Sequence, residues 1–289
     1  MRILTHNVML LTYYEVAPKT HWDQDERAAF IGQADYLDGY DIIALQEMFD
    51  NGASDKLLTK LVEKGYPYST PVVGRSTDGW DRTQGELTMT EDGGAIIVSK
   101  WPIEHKEQLI YEGHCGTDKL AGKGFAYAII NVDGLRTHMV CTHTQSDDED
   151  CDPGVARTVR RSQIQEMNGF LQGLHIPANE PVIVAGDFNI DRHSTEFDDL
   201  LRDGNLQRPD QQLGWKYSFD TQENSVAKYR YPNDPRQDLD HVLLRTGHTK
   251  PGKRWNNKVL KNQSRYWENG QHGFTDYSDH YPLAAGDVE

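Results

Sequence analysis

The sequence is short of cysteine, short of positive charge and without a long apolar run. Three cysteines occur in 289 residues, Cys115, Cys141 and Cys151. Cys141 falls in "RTHMVCTHTQ", which reads as a buried strand end, whereas Cys115 and Cys151 stand in polar, loop-like stretches, "EGHCGTD" and "DDEDCDPG". Two states follow: three free thiols, or a Cys115–Cys151 disulfide with Cys141 buried and free, the second implying an oxidising compartment. Lys and Arg number 30 against 45 Asp and Glu, a net charge of −15. So acidic a surface repels phosphate backbones, which disfavours a general nucleic-acid binder, and it attracts divalent cations. No run of ~18 apolar residues is present, so no membrane-spanning helix is expected. No signal peptide is visible before the first apparent strand, and a secreted protein whose signal has been removed reads this way. Internal repeats and low-complexity linkers are also missing.

What is present is a succession of short, β-rich apolar runs: 2–8, 41–47, 94–100, 124–132, 135–144, 181–189, 239–245 and 280–285. Several are continuously apolar, as strands covered on both faces are. Helical patterns lie between them. In 23–38, Phe30, Ile31, Ala34 and Leu37 share one helical face. The stretch 54–65 opens on Ser54 and closes on Gly65, 156–174 is a longer helix, and 194–204 is bounded by a capping Ser194 and Gly204. The segments 70–92, 145–155 and 207–238 read as long polar loops, which on a compact scaffold are functional or flexible. The pattern is one α/β domain over residues 1–289, with mixed sheets inside and helices outside.

Polar residues collect at strand ends. Asn7, Glu47, His143, Asp187 with Asn189, Asp240, and Asp279 with His280 each follow or begin an apolar run. Singly, each has an ordinary explanation as a turn residue, a solvated strand end or a core histidine. Together they place carboxylates, amides and imidazoles at sheet rims, where α/β proteins carry their chemistry. They are also the parts of a metal-assisted phosphoester cleavage. Glu47 is a hard oxygen ligand of the kind Mg²⁺ takes. His143 and His280 offer a base and an acid or charge stabiliser. Asp187 and Asp240 can fix imidazole tautomers. Neighbours in a strand point to opposite faces, so Asp279 need not touch the His280 ring.

In order, "THNV" (5–8), "LQEMF" (45–49), "CTHTQ" (141–145), "GDFNI" (186–190), "LDHVL" (239–243) and "SDHYPL" (278–283) resemble the endonuclease–exonuclease–phosphatase superfamily over nearly the whole chain. That resemblance implies a deoxyribonuclease-I-like four-layer α/β/β/α sandwich, two packed mixed β-sheets flanked by helices. Within it, "EDGGAIIVSKWPI" (91–103), "YSDHYPL" (277–283) and two cysteines matching Cys115 and Cys151 are similar to the bacterial neutral sphingomyelinases. Those enzymes cleave sphingomyelin to ceramide and phosphocholine with Mg²⁺ or a similar divalent ion, such as Mn²⁺ or Co²⁺.

Residue by residue, the resemblance implies that Glu47 binds the catalytic metal with Asn7 beside it. His280 would take the proton of the attacking water, oriented by Asp240 and supported by Asp279. Asp187 and Asn189 would position water and phosphate, and His143 would stabilise charge or help the ceramide oxygen leave. A second ion at the edge of the site would map to Asn51, Glu91 and Asp92, with Asn51 one turn beyond Glu47 if that segment coils.

Such a monomeric, secreted enzyme would act on sphingomyelin in membrane surfaces or micelles, with no nucleic acid and no protein partner. Docking would rest on exposed aromatics, and Tyr266 and Trp267, before the "ENG" turn of 263–274, are the expected pair. Aromatics of 207–238, namely Trp215, Tyr217, Phe219, Tyr229 and Tyr231, could hold choline by cation–π attraction or pin the loop. A metal-dependent endonuclease of the same superfamily is the alternative. A phosphoinositide phosphatase would want a basic pocket, and no Lys/Arg cluster flanks the motifs; a catalytically dead binding module would not need the intact Glu47, His143, Asp187, Asn189 and His280.

Overall fold

The apolar runs assemble into two seven-stranded sheets in the computed structural model, which describes residues 1–12 and 21–289. From edge to edge the first sheet is Gln212–Gly214, Asn256–Val259, Leu283–Gly286, Arg2–Asn7, Ile42–Gln46, Ile96–Ser99 and Tyr68–Ser69. The second is Leu206–Gln207, Asp240–Arg245, Val182–Asp187, Leu135–His143, Gly124–Val132, Ile103–Ile110 and Arg82–Gln84. Both are mixed. Arg2–Asn7 runs parallel to Ile42–Gln46 and antiparallel to Leu283–Gly286, and Leu135–His143 runs parallel to Val182–Asp187 and antiparallel to Gly124–Val132.

Side-chain alternation deals each strand's residues to two cores, which is why the runs are apolar without a break. Ile3, Ala44 and Ile97 of the first sheet meet Ala126, Cys141, Ala185 and Val242 of the second. Leu4, Ile43 and Leu45 face the other way, onto Ile31 and Leu57 of the helices Gln24–Gln33 and Asn51–Glu63. Val140, Val184 and Leu243 likewise meet Ile164 and Leu200 of the helices Val155–Gly173 and Thr195–Gly204. The order of layers is helix, sheet, sheet, helix, as expected.

Several boundaries differ from the sequence reading, each for a local reason. The helix expected at Ser54 begins at Asn51, because Asp50 is the cap and its carboxylate accepts the Ala53 N–H at 2.9 Å. Residues 47–50 are therefore not helical, and Asn51 is not one turn above Glu47. The helix Thr195–Gly204 ends on Asn205 in the left-handed region rather than on Gly204. The final strand starts at Leu283, so Asp279 and His280 precede it, tied in by a single bridge from His280 to Phe219. The alternation rule thus does not govern that pair. The polar stretch 207–238 holds the strand Gln212–Gly214 and a six-residue helix, Ser225–Arg230, capped by Asn224.

Cys115 and Cys151 are joined, with Cα atoms 5.4 Å apart, and Cys141 is buried and free. The bond closes a loop of 36 residues. On chain-entropy grounds Cys151→Ser should cost about 4 kcal/mol, read as a fall in the urea midpoint. A change under ~1 kcal/mol would mean that the segment is held without the bond. Among the described residues no helix is long and apolar enough to cross a membrane.

One docking expectation is corrected. Trp267–Glu268 and Gly273–Phe274 do form a small hairpin, and Tyr266 beside it is 62% exposed, but Trp267 is only 3% exposed. Its ring packs 4.6 Å from that of Phe274 and lies 4.9 Å from the buried Arg27 guanidinium, and its indole N–H donates to Asp276 O. Trp267 is a core residue.

Candidate active site

The alternation that sorts the cores also builds the site. On Arg2–Asn7 the positions sharing a face with Ile3 end at Asn7. On Leu135–His143 those sharing a face with Met139 and Cys141 end at His143, and on Val182–Asp187 those sharing a face with Ile183 and Ala185 end at Asp187. Asp240–Arg245 runs the other way and begins with Asp240 on the face of Val242. Each of the four is therefore the last residue on the intersheet face of its strand, at one rim. His143, Asp187 and Asp240 are direct neighbours across three strands. Gly186 is required beside Asp187, since a Cβ there would lie 1.9 Å from Thr142 O.

Glu47 and Asn189 follow their strands in the left-handed region, at φ 58° and 50°, a conformation costing about 1–3 kcal/mol for such residues. The surroundings hold Glu47 there: its carbonyl accepts the Leu10 N–H, and Met48 N–H donates to Gly94 O. Gly94 leaves the room, because a Cβ on it would sit 3.0 Å from Glu47 Cα.

Glu47, His143, Asp187, Asn189 and His280 line a cavity of about 290 Å³ with Phe219, Tyr231 and the charged Asp118, Lys123, Arg230, Asp234 and Asp279, and Asn7 and Asp240 stand behind its wall, bonded to Glu47, Asp187 and His280. A larger concavity, about 890 Å³, lies by Arg2, Tyr36 and Tyr277 and holds none of the strand-end residues. His280 Nδ1 hydrogen-bonds Asp240 Oδ2 at 2.8 Å, and its Nε2 lies 3.6 Å from Asp187 Oδ2. Burial would lower this imidazole, yet the charges of Asp240, Asp187 and Asp279 outweigh it and raise the pKa to about 10. His143 goes the other way. Burial and the Lys123 ammonium push it down to about 3, so it is neutral, and its 3.6 Å approach to Asp187 is not an ion pair. Asn7 Nδ2 donates to Glu47 Oε1 at 2.8 Å and to Asp187 Oδ2 at 3.0 Å, bridging two carboxylates. Asn189 gives its N–H to Asp187 Oδ1 and its amide to Thr144 O. Asp279 is buried, with its oxygens taken by Ser278 and Arg230 rather than by the His280 ring. Burial would raise it, but Arg230, His280 and Arg27 hold it below its ordinary value.

The donor set fits a hard cation. Burial and the charge of Asp279 raise the pKa of Glu47, and its Oε2 is buried without a hydrogen-bond partner among the described residues. A desolvated carboxylate with an open oxygen is what a divalent ion completes. Asp187, Asp240 and His280 also bring ligand atoms within 4.8 Å of one another. His280 Nδ1 and Asp240 Oδ2 are engaged with each other, whereas Glu47 Oε2 and Asp240 Oδ1 are buried oxygens without a hydrogen-bond partner among the described residues.

Asn51, Glu91 and Asp92, expected around a second ion at the edge of the site, are not among the residues lining the cavity. Asn51 is exposed at the start of its helix. Asp92 pairs with Arg75 at 3.0 Å and accepts the Gly94 N–H, and Glu91 accepts from the Thr12 hydroxyl. The cavity also holds cations that strand-end reasoning passed over. Lys123 stands just before the strand Gly124–Val132, at the same rim, and a survey of strand ends that included ammonium groups would find it. Arg230 ends the short helix inside a polar stretch, where no local pattern marks it.

The model of the endonuclease/exonuclease/phosphatase family matches residues 17–280. The phospholipase C of Staphylococcus aureus is 39% identical over 291 residues, covering 99% of this chain and 86% of its own. Among solved structures, sphingomyelinase C from Streptomyces griseocarneus superposes with a TM-score of 0.94 at 46% identity, covering 99% of both chains. A beta toxin from Staphylococcus aureus with bound magnesium ions does so with a TM-score of 0.94 at 38% identity, again over 99% of both.

Proposed function

The chain belongs to the endonuclease/exonuclease/phosphatase family and, within it, to the sphingomyelinase C branch, and from that premise we propose that it is a metal-dependent phosphodiesterase of phospholipase C type, hydrolysing sphingomyelin to ceramide and phosphocholine. The observation that carries the reading is His280: its Nδ1 is fixed by Asp240, while the residue lines a cavity shared with the under-coordinated carboxylate of Glu47. A nuclease of the same family is not favoured, given the lipid enzymes among its near relatives and the charge of −15.

In this reading Glu47, with Asn7 beside it, holds the divalent ion, Mg²⁺ or a relative. The ion supplies positive charge for the phosphate oxygens and for the negative charge that builds in the transition state. His280 takes a proton from the attacking water at Nε2. Asp240 keeps Nδ1–H in place and offsets the imidazolium that forms. Asp187 and Asn189 orient the water and the phosphate. The water oxygen bonds to phosphorus, the bond from phosphorus to the ceramide oxygen breaks, and that oxygen takes a proton from solvent water and leaves as an alcohol, while His280 gives up to solvent the proton it took. Neutral His143 and Lys123, 3.4 Å apart, are the pair assigned to the charge that builds on that oxygen. The test is phosphocholine release from sphingomyelin against phosphatidylcholine, with Mg²⁺ and with EDTA. No Mg²⁺-dependent release from sphingomyelin would sink the reading.

The docking proposal narrows to Tyr266, exposed next to the hairpin. Tyr266→Ala should weaken liposome binding about five- to tenfold, the scale of one aromatic leaving an interface, while sparing a soluble phosphocholine ester. Equal loss on both substrates would discard it. The Cys115–Cys151 bond supports secretion into an oxidising environment.

A further inference from the structure

An anionic phosphodiester entering this cavity meets Glu47, Asp118, Asp187, Asp234 and Asp279, so cationic donors must receive it. Lys123 is already committed. Its three N–H groups have three partners, Asp118 Oδ2 at 2.7 Å, Thr144 O at 3.3 Å and His143 Nε2 at 3.4 Å. Arg230 is not committed. One of its terminal nitrogens pairs with Asp279, while Nε and Nη2 make no hydrogen bond among the described residues. The side chain is 20% exposed and lines the cavity. Its guanidinium carbon lies 5.3 Å from the ring centre of Trp22 and 4.9 Å from that of Tyr231. Two rings and one carboxylate therefore fix the group, and its other donor edge, which keeps some access to solvent, is left free to meet a ligand.

We infer that Arg230 is the phosphate clamp of this site, its free guanidinium edge donating to the non-bridging oxygens of the substrate's phosphodiester. The inference rests on the phosphodiesterase reading above. Two parallel N–H groups match two oxygens on one phosphorus, a fit an ammonium cannot reproduce. It also gives Asp279 its part. Asp279 is a positioning residue for Arg230, holding one edge so that the other stays presented. Tyr231 acts as a backing ring for the guanidinium rather than as a free face for choline.

Arg230→Lys keeps a charge for Asp279 and loses the fork. With a soluble phosphocholine ester as substrate, the inhibition constant of phosphocholine should rise about 10- to 100-fold, the worth of one charge-assisted hydrogen bond. Mn²⁺ affinity by calorimetry should stay unchanged. Inhibition of Arg230→Lys at the wild-type concentration of phosphocholine would overturn the clamp. Should the variant fail to fold, the wild-type protein decides: with Nε-¹⁵N-labelled arginine, one resonance should shift on adding phosphocholine to the Mg²⁺-loaded enzyme, and no shift overturns the inference. A wild-type protein that releases no phosphocholine removes the underlying reading instead. Wild-type turnover with an unaffected variant removes the clamp alone.

Discussion

His280→Asn should lower phosphocholine release by about 10²–10⁴-fold, the usual worth of a general base, with the fold retained. Asn is the informative replacement because its amide can still donate to Asp240 near the position of the imidazole Nδ1. Alanine would leave a buried carboxylate without a partner and confuse loss of chemistry with loss of structure. Asp240→Asn should cost turnover as well, and the double variant should be no slower than His280→Asn alone, because the two residues act as one unit. Additive losses would mean that Asp240 works elsewhere.

The same residue sets a pH signature. Without metal, three carboxylates raise His280 from 6.5 to about 10, so the imidazole is charged at neutral pH and cannot accept a proton. A divalent charge at Glu47 opposes those carboxylates. The acid limb of kcat/KM should therefore move to lower pH as metal approaches saturation. A group whose folded pKa lies above its unfolded one stabilises the fold fully below the unfolded value, and that stabilisation fades as pH rises through the folded value. Metal-free protein should accordingly lose stability between about pH 6.5 and 10, and His280→Asn should remove that slope from the urea midpoints. A slope unchanged in the variant would assign it to another group.

Much of this site was legible because strand alternation is a strict rule. Asn7, His143 and Asp187 end apolar runs and Asp240 begins one, and a run covered on both faces can start or stop only at a rim. The residues that escaped do not obey that rule. Arg230 reaches the cavity from a six-residue helix inside a stretch that reads as loop, so its place depends on the tertiary packing of Trp22 and Tyr231. Asp279 precedes by four residues the strand whose parity would place it. Trp267 and Tyr266 are neighbours of like composition, yet one is buried and the other exposed, a distinction fixed by Arg27 and Phe274, which are distant or differently placed in the chain. Chemistry carried by regular elements could be read from local pattern, whereas chemistry carried by loops required the packing.

Glu47→Gln should produce two effects of opposite sign. Metal-dependent turnover should fall by about 10³-fold or more, since the ion's charge stabilisation is worth several kcal/mol. The metal-free protein should nevertheless become more stable at neutral pH. Glu47 is buried, repelled by Asp279, and has an oxygen without a partner, so its ionised form opposes folding in the absence of a cation. The amide keeps the shape and removes the charge. A carboxyl whose folded pKa is raised destabilises the fold above its ordinary range, and this cost disappears as pH falls and both states are protonated. The gain in Tm should therefore be seen near pH 7–8 and vanish in acid, at about 2–4 °C or less per kcal/mol for a chain of this size. Mg²⁺ should raise the Tm of the wild-type protein by mass action and leave Glu47→Gln unmoved. An equal Mg²⁺ response in both proteins would put the ion elsewhere, with Asp187, Asp240 and His280 the next site to examine. A lower metal-free Tm in the variant would mean that Arg230 and Asn7 already satisfy the Glu47 charge without a cation.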